Sequence, residues 1–261
     1  MDNPFSKRKI EKHPVILFST AVIVVSVIFT GIAIMVKNAN ITFLNIFAPT
    51  IIAILFTGIS LGRNGIYQLL IGQIFRKTAI FWLLISIILF PLISFLAISL
   101  YSYYVGYDFT LMAPQVFPHF ITIFVIAVGQ EFGWRGYLLP KLMKRYNAIV
   151  SSLILGIIWG VWHLPGYSIG VGVPLSLSFW IYMIWIISAS FLMTWVYNNT
   201  GSVLTSILLH ASANAIFTYF PILPMAANST IPLWLFLCFL NFTIVGIIII
   251  YGPEKMVRKK N

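Results

Sequence analysis

Eight apolar runs, at residues 15–36, 40–62, 78–100, 116–138, 148–165, 175–197, 202–220 and 232–251, dominate the sequence. Each is close to the roughly 20 residues that cross a bilayer as a helix. With 60% hydrophobic and 8% charged side chains among its 261 residues, the chain is too apolar for an ordinary soluble domain. It reads as an all-α integral membrane protein of eight transmembrane helices. The runs divide it into a basic tail (1–14), one membrane domain (15–251, with an informative core at 75–220) and a second basic tail (252–261).

The net charge of +11 invites a nucleic-acid reading, but its distribution argues otherwise. Of the 16 Lys and Arg, 14 fall in the tails and in alternate loops: Lys7, Arg8, Lys9, Lys12, Arg63, Arg76, Lys77, Lys141, Lys144, Arg145, Lys255, Arg258, Lys259 and Lys260. This is the pattern of a cytoplasmic face, so both termini are expected in the cytoplasm, as an even helix count also requires. Lys37 alone falls on the other side, and Arg135 lies within a span. The basic rim suits anionic lipids or an acidic peptide, and nucleic acid is not expected. The first apolar run lacks an A-x-A-like cleavage site and reads as a retained helix. The expected location is a cell membrane, crossed many times. The one cysteine, Cys238, excludes an intrachain disulfide and a Cys-based metal site, and is read as packing.

Other features position this scaffold. Asn45, Pro49 and Thr50 suggest a kink in the second span, and Pro91 an interruption of the third. The 63–77 stretch alternates apolar Ile66, Tyr67, Leu70, Ile71, Ile74 and Phe75 with polar Gln68, Gln73 and Arg76, as a short helix in the cytoplasmic interface or a loop would. Asp108 and His119 read as surface or interfacial groups. Asn241 is a lone polar residue without an evident role.

The chemistry gathers in three spans. Glu131 is the one acidic residue deep inside an apolar run, and a carboxylate at that depth costs roughly 2.5 kcal/mol or more, which marks a functional group. Arg135 follows at i, i+4, the favoured order for a helical ion pair. Glu131 and His163 lie at equal separations on either side of a turn near Asn147, about 24 Å along each helix, so an antiparallel hairpin brings them to one depth. Gly129 and Gly133, and Gly156 and Gly160, have the spacing that lets helix backbones approach. Pro165 ends or bends the helix just beyond His163. His210 and Asn214 share one face of the seventh span. Gln130, Glu131, Arg135, His163, His210 and Asn214 are therefore the candidate site. An ion pair that only orients its helix accounts for Glu131 and Arg135 equally well.

GQEFGWRGYLLPKL at 129–142, WGVWH at 159–163 and HASAN at 210–214 resemble the three signatures of the CPBP family, the CAAX-protease-like or Abi intramembrane proteases. The resemblance covers about residues 75–220 and, with the short loops, implies the plasma membrane of a bacterium. It implies an eight-helix membrane endopeptidase acting on membrane-associated peptides or proteins, including the removal of the last residues of prenylated CAAX proteins. It further implies that residue 130 is the general-base position that activates water, that Glu131 pairs with Arg135, that His163 shares in holding the water, and that His210 and Asn214 polarise the scissile carbonyl and stabilise its oxyanion. The family pattern has Glu where this chain has Gln130. An amide takes no proton at neutral pH, so this form is expected to be inactive or impaired, and Glu131 is committed to Arg135.

Two histidines with a carboxylate form a catalytic zinc set in other folds. With Gln130 the ligand count is poor, and neither a metal nor another cofactor is expected. Two other classes compete. One is a non-catalytic immunity or regulatory protein of the same fold that binds peptides. The other is a transporter with an intramembrane ion-pair relay, which the lack of repeat symmetry and the single deep carboxylate disfavour.

Overall fold

A computed structural model describes residues 7–106, 108–112, 116–174 and 177–257. The expected basic residues Arg258, Lys259 and Lys260 lie outside the described residues. Among those described there is no strand. A short helix, α1 (Lys7–Lys12), leads into α2 (Pro14–Met35), α3 (Ala48–Tyr67), α4 (Ile80–Val105), α5 (Val116–Glu131), α6 (Leu139–Leu142), α7 (Ala148–Ser168), α8 (Phe179–Thr200), α9 (Val203–Tyr219), α10 (Pro224–Ala227) and α11 (Ile231–Tyr251). In an apolar medium every backbone group must be satisfied within the segment, and these runs meet that demand as helices.

Among the described residues seven helical stretches are long and apolar enough to cross a membrane: Pro14–Met35, Ala39–Gly72, Ile80–Val105, Ala148–Ser168, Phe179–Thr200, Val203–Ala227 and Ile231–Tyr251. The stretch expected as the fourth span is helical too, but a π turn at Phe132–Leu138 divides it into α5 and α6, and it is not among the seven.

Several local expectations change. The second span starts as 3-10 turns at Ala39–Phe47 and becomes α-helical only at Ala48, where Pro49 enters the first turn and its missing N–H costs nothing. Pro91 does not interrupt α4, which continues on both sides of it. The loss of one hydrogen bond is tolerable when the neighbouring turns hold and other helices pack around them. Past Pro165, α7 runs on to Ser168. At Gly62, within α3, the backbone adopts φ 66°, ψ −161°, so the helical turns from 63 to 74 leave the axis of the turns before it at a sharp break. Of the polar residues in the 63–77 stretch Gln73 turns to protein, its Nε2 donating to Gly136 O at 3.2 Å and its Oε1 accepting from Tyr197 Oη at 3.0 Å, while Gln68 and Arg76 are exposed. Cys238 is exposed on α11 and packs no core. Asn241 links two helices, accepting from Ser188 Oγ on α8 at 3.2 Å.

The two glycine pairs do not bring α5 and α7 together. A Cβ on Gly133 would stand 2.5 Å from the Pro49 carbonyl group, and one on Gly129 3.1 Å from Ile46 O, so this pair seats α5 and the π turn on the start of α3. Gly156 and Gly160 face α8 instead, against Ile187 Cα at 2.8 Å and Met183. Small residues permit close approach, but which partner fills the groove is settled by the whole bundle.

The basic segments converge at one end of the bundle. Arg145 donates to Lys12 O (3.5 Å), Ala148 N to Glu254 O (2.7 Å), Asn198 Nδ2 to Lys255 O (2.7 Å) and Arg76 Nη1 to Gly201 O (3.2 Å). At the other end Met112 N donates to Tyr219 O at 2.9 Å, tying the 108–112 segment to the end of α9.

Candidate functional site

The site grows from the change of helix type at Glu131. A π turn adds a residue to the helical circuit, and such turns recur at functional sites. Here it carries Trp134 and Arg135, both fully buried, and Gln73 satisfies its Gly136 carbonyl.

Glu131 is enclosed completely and uses one oxygen for two partners. Its Oε1 lies 2.9 Å from Arg135 Nη1 on the next helical turn and 2.7 Å from His210 Nδ1 on α9. Glu131 Oε2 and Arg135 Nε and Nη2 are buried without hydrogen-bond partners. Arg135 also lies over the Trp159 ring, with its guanidinium carbon 4.7 Å from the ring centre. A cation there draws on the negative face of the indole.

Trp159 connects the remaining groups. Its Nε1 donates to Gln130 Oε1 at 3.0 Å, and Trp134 Nε1 donates to the same oxygen at 3.3 Å. An indole nitrogen only donates. The amide orientation is therefore fixed by its partners: Oε1 between the two indoles, Nε2 towards the cavity that Gln130 lines. One turn after Trp159, His163 places Nδ1 2.9 Å from the Trp159 carbonyl, and the His210 ring packs edge-on against Trp159 at 5.1 Å.

Both histidines thus have Nδ1 against an oxygen acceptor, which assigns the proton to Nδ1. In the neutral ring, Nε2 then carries the lone pair and accepts. As an imidazolium it donates. Asn214, one turn beyond His210, offers an amide to the same space.

That space is a cavity of about 510 Å³ lined by Gln130, Trp159, His163, His210 and Asn214. Its size falls in the ordinary range for small-molecule or peptide side-chain sites. The sequence-derived candidates thus divide in two. Gln130, His163, His210 and Asn214 line the cavity, while Glu131 and Arg135 stand behind it. Glu131, expected at one depth with His163, bonds to His210 on α9, and His163 lines the cavity.

Sequence reasoning missed the indole donors of Trp134 and Trp159, although both sit in the quoted motifs. It also missed Asn45, which lines the cavity and donates to Ser26 Oγ at 3.0 Å, with Ser26 in turn donating to Trp162 O at 2.9 Å. The spacing of Trp134 four residues after Gln130, and of Trp159 four before His163, was the available signal. His119, read as interfacial, is exposed and lines the cavity's outer part.

A helical membrane bundle enclosing an amide, two imidazoles and a shielded ion pair is the class of protein that these features define. Residues 112–216 match the family model described as "Type II CAAX prenyl endopeptidase Rce1-like". CAAX prenyl protease 2 of Methanococcus maripaludis is 24% identical over 162 residues, covering 58% of this chain and 59% of that protein. Both are similarities to CAAX prenyl endopeptidases, in line with the resemblance of the three motifs to the CPBP family. The matched part is less than two thirds of the relative's length. Among the described residues no group of three or more His, Cys, Asp or Glu is arranged to hold a metal ion.

Proposed function

We propose that the chain is an intramembrane endopeptidase scaffold of the CAAX-protease type, built to hydrolyse a peptide bond in a membrane-associated peptide or protein by water activation. The observation that carries this reading is the convergence of Gln130, His163, His210 and Asn214 on one cavity within the bundle. Residue 130 is the base position, His163 Nε2 holds the water, and Asn214 with the imidazolium form of His210 meets the developing oxyanion. Glu131 and Arg135 act through His210 as positioning residues. As an amide, Gln130 accepts no proton, so this form is inactive or strongly impaired.

We assign the glutamic type without a metal, because Gln130 brings an amide where a ligand carboxylate would stand and Glu131, the buried carboxylate of the site among the described residues, is engaged by Arg135 and His210. Both termini lie in the cytoplasm of a cell whose plasma membrane the chain crosses eight times, with the unbroken helical path from 116 to 142 as the fourth crossing. The test is peptidase activity of purified, folded Gln130→Glu protein on hydrophobic reporter peptides. Cleavage that is absent from the Gln130 form and present in the variant is the expected result.

A second reading is a non-catalytic immunity or regulatory protein that binds peptides. The orientation of Gln130 favours it, since the amide presents hydrogen-bond donors, not a base, to the cavity. Failure of Gln130→Glu to cleave any reporter, with peptide binding intact, would establish that class.

A further inference from the structure

We infer that the cavity is entered from the face opposite the basic end, so that its occupant is an uncharged polypeptide segment on the extracytoplasmic side of the membrane. The word polypeptide rests on the endopeptidase reading above; the side of entry does not.

The direction follows from where each lining residue falls on its helix. At 1.5 Å per residue, Gln130 lies about 18 Å from the basic end of its helical path, and His163 about 22 Å along α7 from that end. From this depth the lining continues away from the basic end. It takes in Ala39 and Asn40 after α2 and Gly166 and Gly172 at the end of α7. His119 near the start of α5 and Thr218 near the end of α9 complete it. None of the residues that tie the basic segments together lines the cavity. Exposure runs the same way. Gln130, Trp159 and His210 are 2%, 4% and 3% exposed, whereas Ala39, Asn40, Phe43, His119 and Gly172 are open.

The positive-inside rule assigns the basic end to the cytoplasm. The mouth therefore belongs to the other leaflet or the space beyond it. A cytoplasmic substrate would have to pass the packed basic end to reach Gln130.

The chemistry of the wall selects the occupant. Among the described residues no Asp, Glu, Lys or Arg lines the cavity; beside His119, His163 and His210 its wall is aromatic and aliphatic, with Thr30, Asn40, Thr42, Asn45 and Thr122 among the rest. A charged side chain entering such a space would leave its hydration without gaining a counter-ion. An extended run of apolar and small polar residues loses nothing comparable. The acidic peptide suggested by the basic rim is therefore not what the site selects, because rim and mouth are at opposite ends.

The experiment uses single-cysteine forms of the full chain in a Cys238→Ala background: Asn40→Cys and His119→Cys at the mouth, and Lys144→Cys at the basic end. Sealed right-side-out and inverted membrane vesicles are treated with a membrane-impermeant maleimide, with detergent-solubilised protein as the labelling control. The expected result is labelling of Asn40→Cys and His119→Cys only in right-side-out vesicles and of Lys144→Cys only in inverted ones. Labelling of the mouth from the cytoplasmic side, labelling of all three from one side, or no mouth labelling even in detergent overturns the inference. Because labelling needs no hydrolysis, correct sidedness with an inert Gln130→Glu variant would refute the endopeptidase reading and leave the entry side standing.

Discussion

Glu131 Oε1 stands 2.7 Å from His210 Nδ1 while also holding Arg135 Nη1 at 2.9 Å, so one carboxylate oxygen joins two helices distant in sequence. All three side chains are shut off from solvent. Breaking a buried pair by removing one partner leaves an uncompensated charge, at a cost of about 3–5 kcal/mol. Glu131→Gln and Arg135→Met are each expected to lower the thermal unfolding temperature in detergent markedly, and the double substitution to cost less than either. A thermal-shift comparison of the three proteins checks this. Equal, additive losses would mean that the pair is not coupled.

Replacing Gln130 by Glu restores a group that can take a proton from water. General-base catalysis contributes typically 10²- to 10⁴-fold, so a gain of about that size in kcat is expected on a hydrophobic reporter peptide. Single-turnover rates for the two purified proteins decide the matter, and an unchanged rate counts against residue 130 as the base position.

The two indole donors on Gln130 Oε1 have their own spectroscopic signature. In protein labelled with ¹⁵N-tryptophan, Gln130→Leu is expected to move the indole N–H resonances of Trp134 and Trp159 upfield as their hydrogen bonds are lost. Those of exposed Trp180 and Trp234 should stay in place. In a Gln130→Glu background, Trp159→Phe keeps a ring but loses the donor. It should lower kcat with little change in KM, because what it disturbs is the set of residue 130.

Gly133 is where the π turn rests on Pro49. A methyl group there would come within 2.5 Å of backbone atoms, which cannot swing aside. Overpacking of this kind costs about 1–3 kcal/mol, so Gly133→Ala should unfold at a lower temperature. Gly31→Ala on α2 meets nothing within 4 Å and should be neutral or slightly stabilising.

Metal analysis of the purified protein gives a further check. Less than stoichiometric zinc, and a Gln130→Glu rate unchanged by chelator, are the expected outcomes. A tightly held zinc ion whose removal abolishes that rate would replace the glutamic mechanism with a metal-assisted one.

The sequence made the helical class legible because length and apolarity alone nearly specify a membrane helix. The i, i+4 spacing likewise announced the Glu131–Arg135 pair. What it did not carry was partner choice. Gly129 and Gly133 signal close approach equally well to any helix, and only the assembled bundle shows that Pro49 fills the groove. Glu131 and His163 share a depth on an idealised hairpin, but rotation about each helix axis, altered by the π turn at 132–138, gives Glu131 to His210. Helix type is hard to read from spacing because an added residue in one turn leaves the apolar pattern almost intact. Trp159 looked like bulk, since aromatic residues fill bundle cores everywhere, and its N–H gained meaning only once Gln130 was seen opposite.

Having the ion pair within one helix matters for how the protein is made. As the chain emerges from the ribosome, the segment bearing Glu131 reaches the membrane well before α9 and its His210 have been synthesised. Arg135, one turn away, travels with the acid and neutralises it from the start, so the nascent hairpin can partition into lipid as a locally balanced unit. The histidine then joins an acid that is already accommodated, which makes assembly of the site a late docking step and spares the insertion machinery a lone buried charge.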